Sequence, residues 1–201
     1  MARLQLNKSS LARQTTELQT YKRFLPSLDL KRQQLMAERN KAALAVTDAQ
    51  KAIEDFRAEV GEKLPMLANE DVDLTDLAKL TKVELGMENL VGTHLPVLKH
   101  IEVEVRPYAL LAKPHWVDKA SALLHDMLEL RVQEQIAHRR LELVEKAVNT
   151  ITQRVNLFDK VLIPRAQKNI KKIRIYLSDE EMAAVVRSKI SKRKHAAEQA
   201  S

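Results

Sequence analysis

Histidines, hydroxyls and carboxylates are the side chains of this chain that could do chemistry, and their spacing assembles no site. Six histidines occur, but none stands in the His-Glu-x-x-His spacing that puts two zinc ligands on one helix face. His94 and His100 lie six residues apart and read as surface groups. Ser9-Ser10 and Thr15-Thr16 have no glycine elbow beside them to present a nucleophile. The three glycines, Gly61, Gly86 and Gly92, are not spaced for a phosphate-cradling loop before a Lys-Ser or Lys-Thr pair. Cysteine is absent, so there is neither a thiolate metal site nor a disulfide framework. The expectation is a non-catalytic protein without cofactor or metal, one that works by shape and contact.

The charged groups are more informative. Between Arg165 and His195, ten lysines or arginines stand against Asp179, Glu180 and Glu181, while the whole chain carries a formal +7. The excess is therefore concentrated in the last fifth of the sequence. Such a patch suits an acidic protein surface, nucleic acid or anionic lipid, or simply a solvated helix face.

These side chains must be positioned by long helices. Charged residues make up 30% of the 201, aromatics 3%, and glycine occurs three times. That is the composition of extended helices and not of an ordinary globular domain. Leu141, Val144, Val148, Ile151, Val155, Phe158 and Leu162 alternate steps of three and four. Their spacing predicts a coiled-coil seam along one helix face. At the other end Leu4, Leu11, Leu18 and Leu25 recur every seven residues, with Tyr21, Leu28 and Leu35 beside them. The same frame continues through Ala42, Val46, Ala49, Ile53, Phe56 and Val60, interrupted at Arg32 and Arg39. A helix over residues 4–60 would extend roughly 85 Å, bent at Pro26, whose missing N–H breaks one turn.

All three glycines and four of the six prolines fall between 61 and 114, which marks a turn-rich centre. Asp71 to Leu80 reads as a short helix with Asp71 or Asp73 as its N-cap. Lys82–Leu90 and Leu95–Val105 read as the strands of a hairpin turning at Gly92-Thr93, because Ile101-Glu-Val-Glu-Val105 alternates strictly. A third segment runs from about Trp116 to His195, its seam entering through Met127, Leu130, Glu134 and Ala137. Beyond Leu162 the apolar positions become Ala166, Ile170, Ile173 and Leu177, an extra step of four. This stutter coincides with Pro164 and predicts a straightening or kink. Ser178-Asp-Glu-Glu181 reads as a capping box opening a last helical stretch.

The expected fold is thus mostly α. Segments 1–60 and 116–195 pair as a long antiparallel two-helix coiled coil, 61–115 forms a short helix and β-hairpin at the closed end, and 196–201 is a flexible tail. No apolar run approaches the ~18 residues of a membrane span, and Met1–Lys8 lacks a signal-peptide core, so a cytoplasmic protein is expected.

Three stretches give a likeness to a known family. They are Lys8-Ser9-Ser10-Leu11 followed by Leu28-Asp-Leu-Lys-Arg-Gln-Gln-Leu35; Asn89-Leu-Val-Gly-Thr-His-Leu-Pro96; and Val155-Asn-Leu-Phe-Asp-Lys-Val-Leu-Ile-Pro-Arg165 with Ile170, Ile173 and Leu177 behind it. In these the sequence resembles the central-shaft D-subunit of V-type and A-type rotary ATPases, over nearly its whole length. Pro26 departs from the family's small or flexible residue at that place. The sequence also lacks the long tail of eukaryotic members, so the resemblance fits a bacterial or archaeal-type complex.

The resemblance implies a rotor shaft that transmits torque between a ring of catalytic and regulatory ATPase subunits and the membrane ion-translocating rotor, in ATP synthesis or hydrolysis. It implies three kinds of partner: the ring, a small companion stalk subunit, and a funnel-like subunit above the membrane rotor. Arg154, Arg165, Lys168, Lys171 and Lys172, which flank the stutter, would face acidic groups of the ring. Val83, Leu90, Val97, Ile101 and Val103 would be apolar contacts to the companion. Two readings compete, a basic nucleic-acid-binding coiled coil and a homodimeric scaffold. Tyr176 is the only aromatic in the basic region, which leaves no base-stacking platform, and the turn-rich centre favours chain reversal over pairing between chains.

Overall fold

The computed structural model describes residues 4–68, 77–107 and 114–199. In chain order the elements are helix α1 (Lys8–Lys63), a 3-10 turn (Pro65–Ala68), strands β1 (Ala78–Leu90) and β2 (Thr93–Val105), helix α2 (Trp116–Asn156), a π-helical segment (Leu157–Leu162) and helix α3 (Ile163–Gln199). The fold is mostly helical, with a long N-terminal helix, a long C-terminal helical segment and, between them in sequence, a two-stranded antiparallel hairpin. The chain divides into two compact units, residues 1–30 with 151–201, and residues 31–150.

Helix α1 starts where Asn7 caps it: Ser10 N–H donates to Asn7 Oδ1 at 2.7 Å, satisfying one of the open donors of the first turn. Pro26 lies inside the helix and does not end it; Ser27 Oγ donates to the Phe24 carbonyl next to it at 2.9 Å. Gly61 is also helical, and Pro65 stops the helix by disfavouring α geometry at Leu64.

In the first unit, three cross-contacts run in opposite directions along the two arms. Lys8 pairs with Glu181 at 3.8 Å, Asn169 Nδ2 donates to Gln14 Oε1 at 3.0 Å, and Tyr21 meets Phe158 edge to face at 5.5 Å. Ile151, Val155, Ala166, Ile170 and Ile173 are buried, and Leu11, Leu18, Leu25, Leu28, Phe158 and Leu162 are half-buried. The predicted seam is the packed face. One layer is polar: Gln14 is buried and passes its second bond from Nε2 to Glu17.

The stutter takes a definite form. On an α-helix the steps 158–162–166–170 would carry the seam about 120° round the axis. The chain instead forms a π segment, in which Ile163 N–H donates to the Phe158 carbonyl, five residues back. The extra residue in that turn returns Ala166, Ile170 and Ile173 to the seam. Pro164 follows directly, at a place where the regular ladder is already interrupted. No new helix starts at Ser178, since α3 runs through it to Gln199; the four-residue pattern there is a solvated helix surface, and the helix also continues past His195.

In the second unit, Leu35, Val46 and Ile53 of α1 and Val144 and Val148 of α2 are buried, and Gln50 Nε2 lies 3.2 Å from His138 Nε2. An apolar cluster of Leu64, Leu77, Trp116, Val117 and Ala120 closes the end where the chain reverses, with Leu123 and Leu124 against it.

The hairpin is longer than its alternation suggested. Ala78–Leu80 is strand and not the end of a short helix, because Leu77 anchors in the apolar cluster and Arg106 N–H closes on its carbonyl at 2.9 Å. Residues 71–76, with the proposed caps Asp71 and Asp73, lie outside the described residues. The turn is Val91-Gly92, one residue earlier than expected, and both have positive φ, 51° and 83°. That is the pairing a two-residue type I′ turn requires, and Asn89 Oδ1 accepts the Gly92 N–H at 2.9 Å. Thr93 therefore belongs to β2. Two bulges, at Thr81 in β1 and Lys99 in β2, shift the register.

Candidate interaction surfaces

No cluster of three or more His, Asp or Glu able to hold a metal occurs among the described residues, and no described helix is long and apolar enough to cross a membrane. What the fold offers is surface.

Arg154, Arg165, Lys168, Lys171 and Lys172 are all exposed and lie on either side of the π segment. Among the described residues none of the five has an ion-pair partner, in contrast to Arg139 and Lys146, which both bond Glu142 at 2.6 Å. Those bonds, that from Lys146 foremost, hold the Glu142 carboxyl below its ordinary value. Exposed Leu157 and Val161 stand in the π segment among the five cations. Neither belongs to the seam, so the sequence pattern does not single them out.

The apolar hairpin residues divide by register. Val83 pairs with Ile101, and Val103 with Leu80; near the anchored base Val83, Ile101 and Val103 are half-buried, while Leu80 is exposed. Val97 pairs with Gly86 and Leu90 with Thr93, nearer the turn. Leu85 and Met87, not foreseen, are the more exposed members, Met87 at 76%.

The sequence pattern also conceals a further face. α2 carries its seam on one side and, about 200° round from Glu134, a second stripe of Leu128, Val132, Ile136 and Leu143. Val132 is buried and the other three are half-buried. Arg140 stands at the edge of this stripe. Its Nη1 donates to the Pro96 carbonyl at 3.2 Å and its Nη2 to Glu88 Oε2 at 3.1 Å. From Glu88 back to Ala78 the ribbon spans about 33 Å, the length of about 22 helical residues. Counted back from Arg140 this reaches the level of Val117, where Leu77 is anchored. Arg140 thus ties the hairpin to α2 beside this stripe, and the lengths match a hairpin laid along it. The signal was in the sequence as steps of four, four and seven, hidden beneath the stronger seam.

The surfaces so far define a class: a mostly helical protein that presents cations and apolar strips on long helices and a hairpin. The sequence profile of the ATP synthase D-subunit family matches residues 10–193, and the chain belongs to that family. It is similar to the V-type ATP synthase D-subunit of Borreliella burgdorferi, 36% identical over 196 residues, which cover 96% of this chain and 95% of that protein. The corresponding V-type ATP synthase proteins of Chlamydia pneumoniae (31% identical, 94% of this chain and 88% of that one) and Chlamydia felis (29% identical, 96% and 94%) are similar over comparable spans.

Proposed function

We propose that this chain is the central shaft of a V-type ATP synthase, passing torque between the ATP-handling ring and the membrane rotor and catalysing nothing itself. The observation that carries the reading is the family match over residues 10–193 on a chain whose arms are paired antiparallel helices. Two packed helices resist twisting better than one, so torque applied at one end reaches the other. A shaft turning inside a sleeve must exchange contacts, and exposed ion pairs worth ~0–1 kcal/mol each are more easily exchanged than a deep apolar lock. The unpaired cations Arg154, Arg165, Lys168, Lys171 and Lys172 suit such contacts with acidic groups of the catalytic and regulatory ring. An uneven rod touching each ring position differently can bias each toward a different state, since only differential contact shifts an equilibrium. Val83, Leu90, Val97, Ile101 and Val103 are the proposed apolar contacts to a small companion stalk subunit, and the closed end would rest on a funnel-like subunit above the membrane rotor. The complex would place the chain at the cytoplasmic side of the membrane, peripheral to it.

Native mass spectrometry of the tagged chain recovered from its own cells tests this. One copy with three pairs of larger ATPase subunits and a small companion is the expected composition; recovery with nucleic acid and no such subunits would overturn it. Reversing Arg165, Lys168, Lys171 and Lys172 to Glu in the assembled complex is expected to lower coupled ATP hydrolysis several-fold. An unchanged rate with intact assembly would remove the ring-contact assignment.

A further inference from the structure

The hairpin is held at its two ends by different chemistry. Its base is buried through Leu77 in the cluster with Leu64, Trp116, Val117 and Ala120. Towards the turn it is fastened by one guanidinium, which bonds Glu88 of β1 and the Pro96 carbonyl of β2. A single side chain thereby ties both strands to α2. At the turn itself, the position a Cβ on Gly92 would take lies 3.3 Å from Lys31 Nζ of α1.

We propose that the hairpin is a releasable strap, anchored at the apolar cluster and held closed along the rear of α2 by Arg140. Three features make the far end the one that opens. A two-stranded ribbon is marginal by itself in water, so its order depends on what it lies against. The fastening is open to competition from water, with the Arg140 and Glu88 side chains 30% and 52% exposed, whereas Leu77 is 4% exposed. The turn carries Val91 at φ 51°, a conformation a β-branched residue resists, so the tip contributes little stability of its own. Leu95, at 2% exposed, and Val132, at 7%, are both buried in the closed form, and their exposure on opening would keep the lifted form a minor state. Loss of the fork shifts this balance toward opening, because the Pro96 carbonyl and Glu88 then lose the donor on α2 that brings them back.

Hydrogen exchange on the purified full chain tests the strap directly. Arg140→Ala is expected to speed exchange of ladder amides between Val83 and Val97 roughly ten-fold or more, with amides at Val144 and Val148 of the seam unchanged. Hairpin exchange equal to the parent would overturn the proposal. Where Arg140→Ala also loosens the seam, Glu88→Gln decides, since it alters an exposed carboxylate on the hairpin alone. A few-fold acceleration confined to the hairpin supports the strap, and parent-like exchange overturns it.

Discussion

Two residues sit in places their chemistry does not favour. Ser10 is buried, and its Oγ has no hydrogen-bond partner among the described residues. Its backbone N–H is used by the Asn7 cap, but the hydroxyl gains nothing in return for lost hydration. Ser10→Ala should therefore stabilise the chain by about 1 kcal/mol, read as a higher midpoint in urea unfolding. A lower midpoint would mean that the hydroxyl does find a partner. Val91 is the second. Type I′ turns favour Asn-Gly because Asn tolerates positive φ and a β-branched side chain does not. Val91→Asn should add about 1 kcal/mol and slow hydrogen exchange at Leu90 and Thr93. This strain also explains why the sequence pattern places the turn one residue late: Val is a strand former, and Gly92 alone carries a turn signal.

At the scale of elements, what could be read beforehand was what repeats. The heptad seam was legible because many residues vote for one face, and Val144, Val148, Ile151 and Val155 are buried accordingly. The strict alternation at Ile101–Val105 likewise marked a strand. Features set by tertiary contact were not legible. Ala78–Leu80 are strand only because Leu77 is anchored and Arg106 returns beside it. The π segment could be seen as a shift of phase, but not as the geometry that absorbs it. The rear stripe of α2 was masked because a helix with one strong apolar face is ordinarily solvated on the other. The two-faced reading of α2 is testable. Val132→Ala should destabilise by about 2 kcal/mol, comparable with Val144→Ala in the seam, whereas exposed Val185→Ala should stay within about 0.5 kcal/mol. A Val132 effect as small as that at Val185 would mean that the hairpin does not cover α2.

At the scale of the whole chain, the question is whether its apolar seams need a second copy. A homodimeric scaffold would leave each chain's seam bare until it met its twin. Here both arms find their complement within one chain: Tyr21 against Phe158 and Gln14 with Asn169 in one unit, and Gln50 beside His138 in the other. Leu35, Val144 and Ile173 are almost wholly buried within the single chain. The buried Gln14 layer adds direction to this, since a polar group in a seam fixes register at some cost in stability. Pairing between chains would have to break each of these contacts to rebuild the same ones, a gain of nothing against the entropy of association. The purified chain is therefore expected to sediment at its monomer mass, 23.0 kDa, and to hold that mass as concentration rises through the micromolar range. A doubled mass that survives dilution would restore the scaffold reading, because it would show that the seams prefer a second chain to their own.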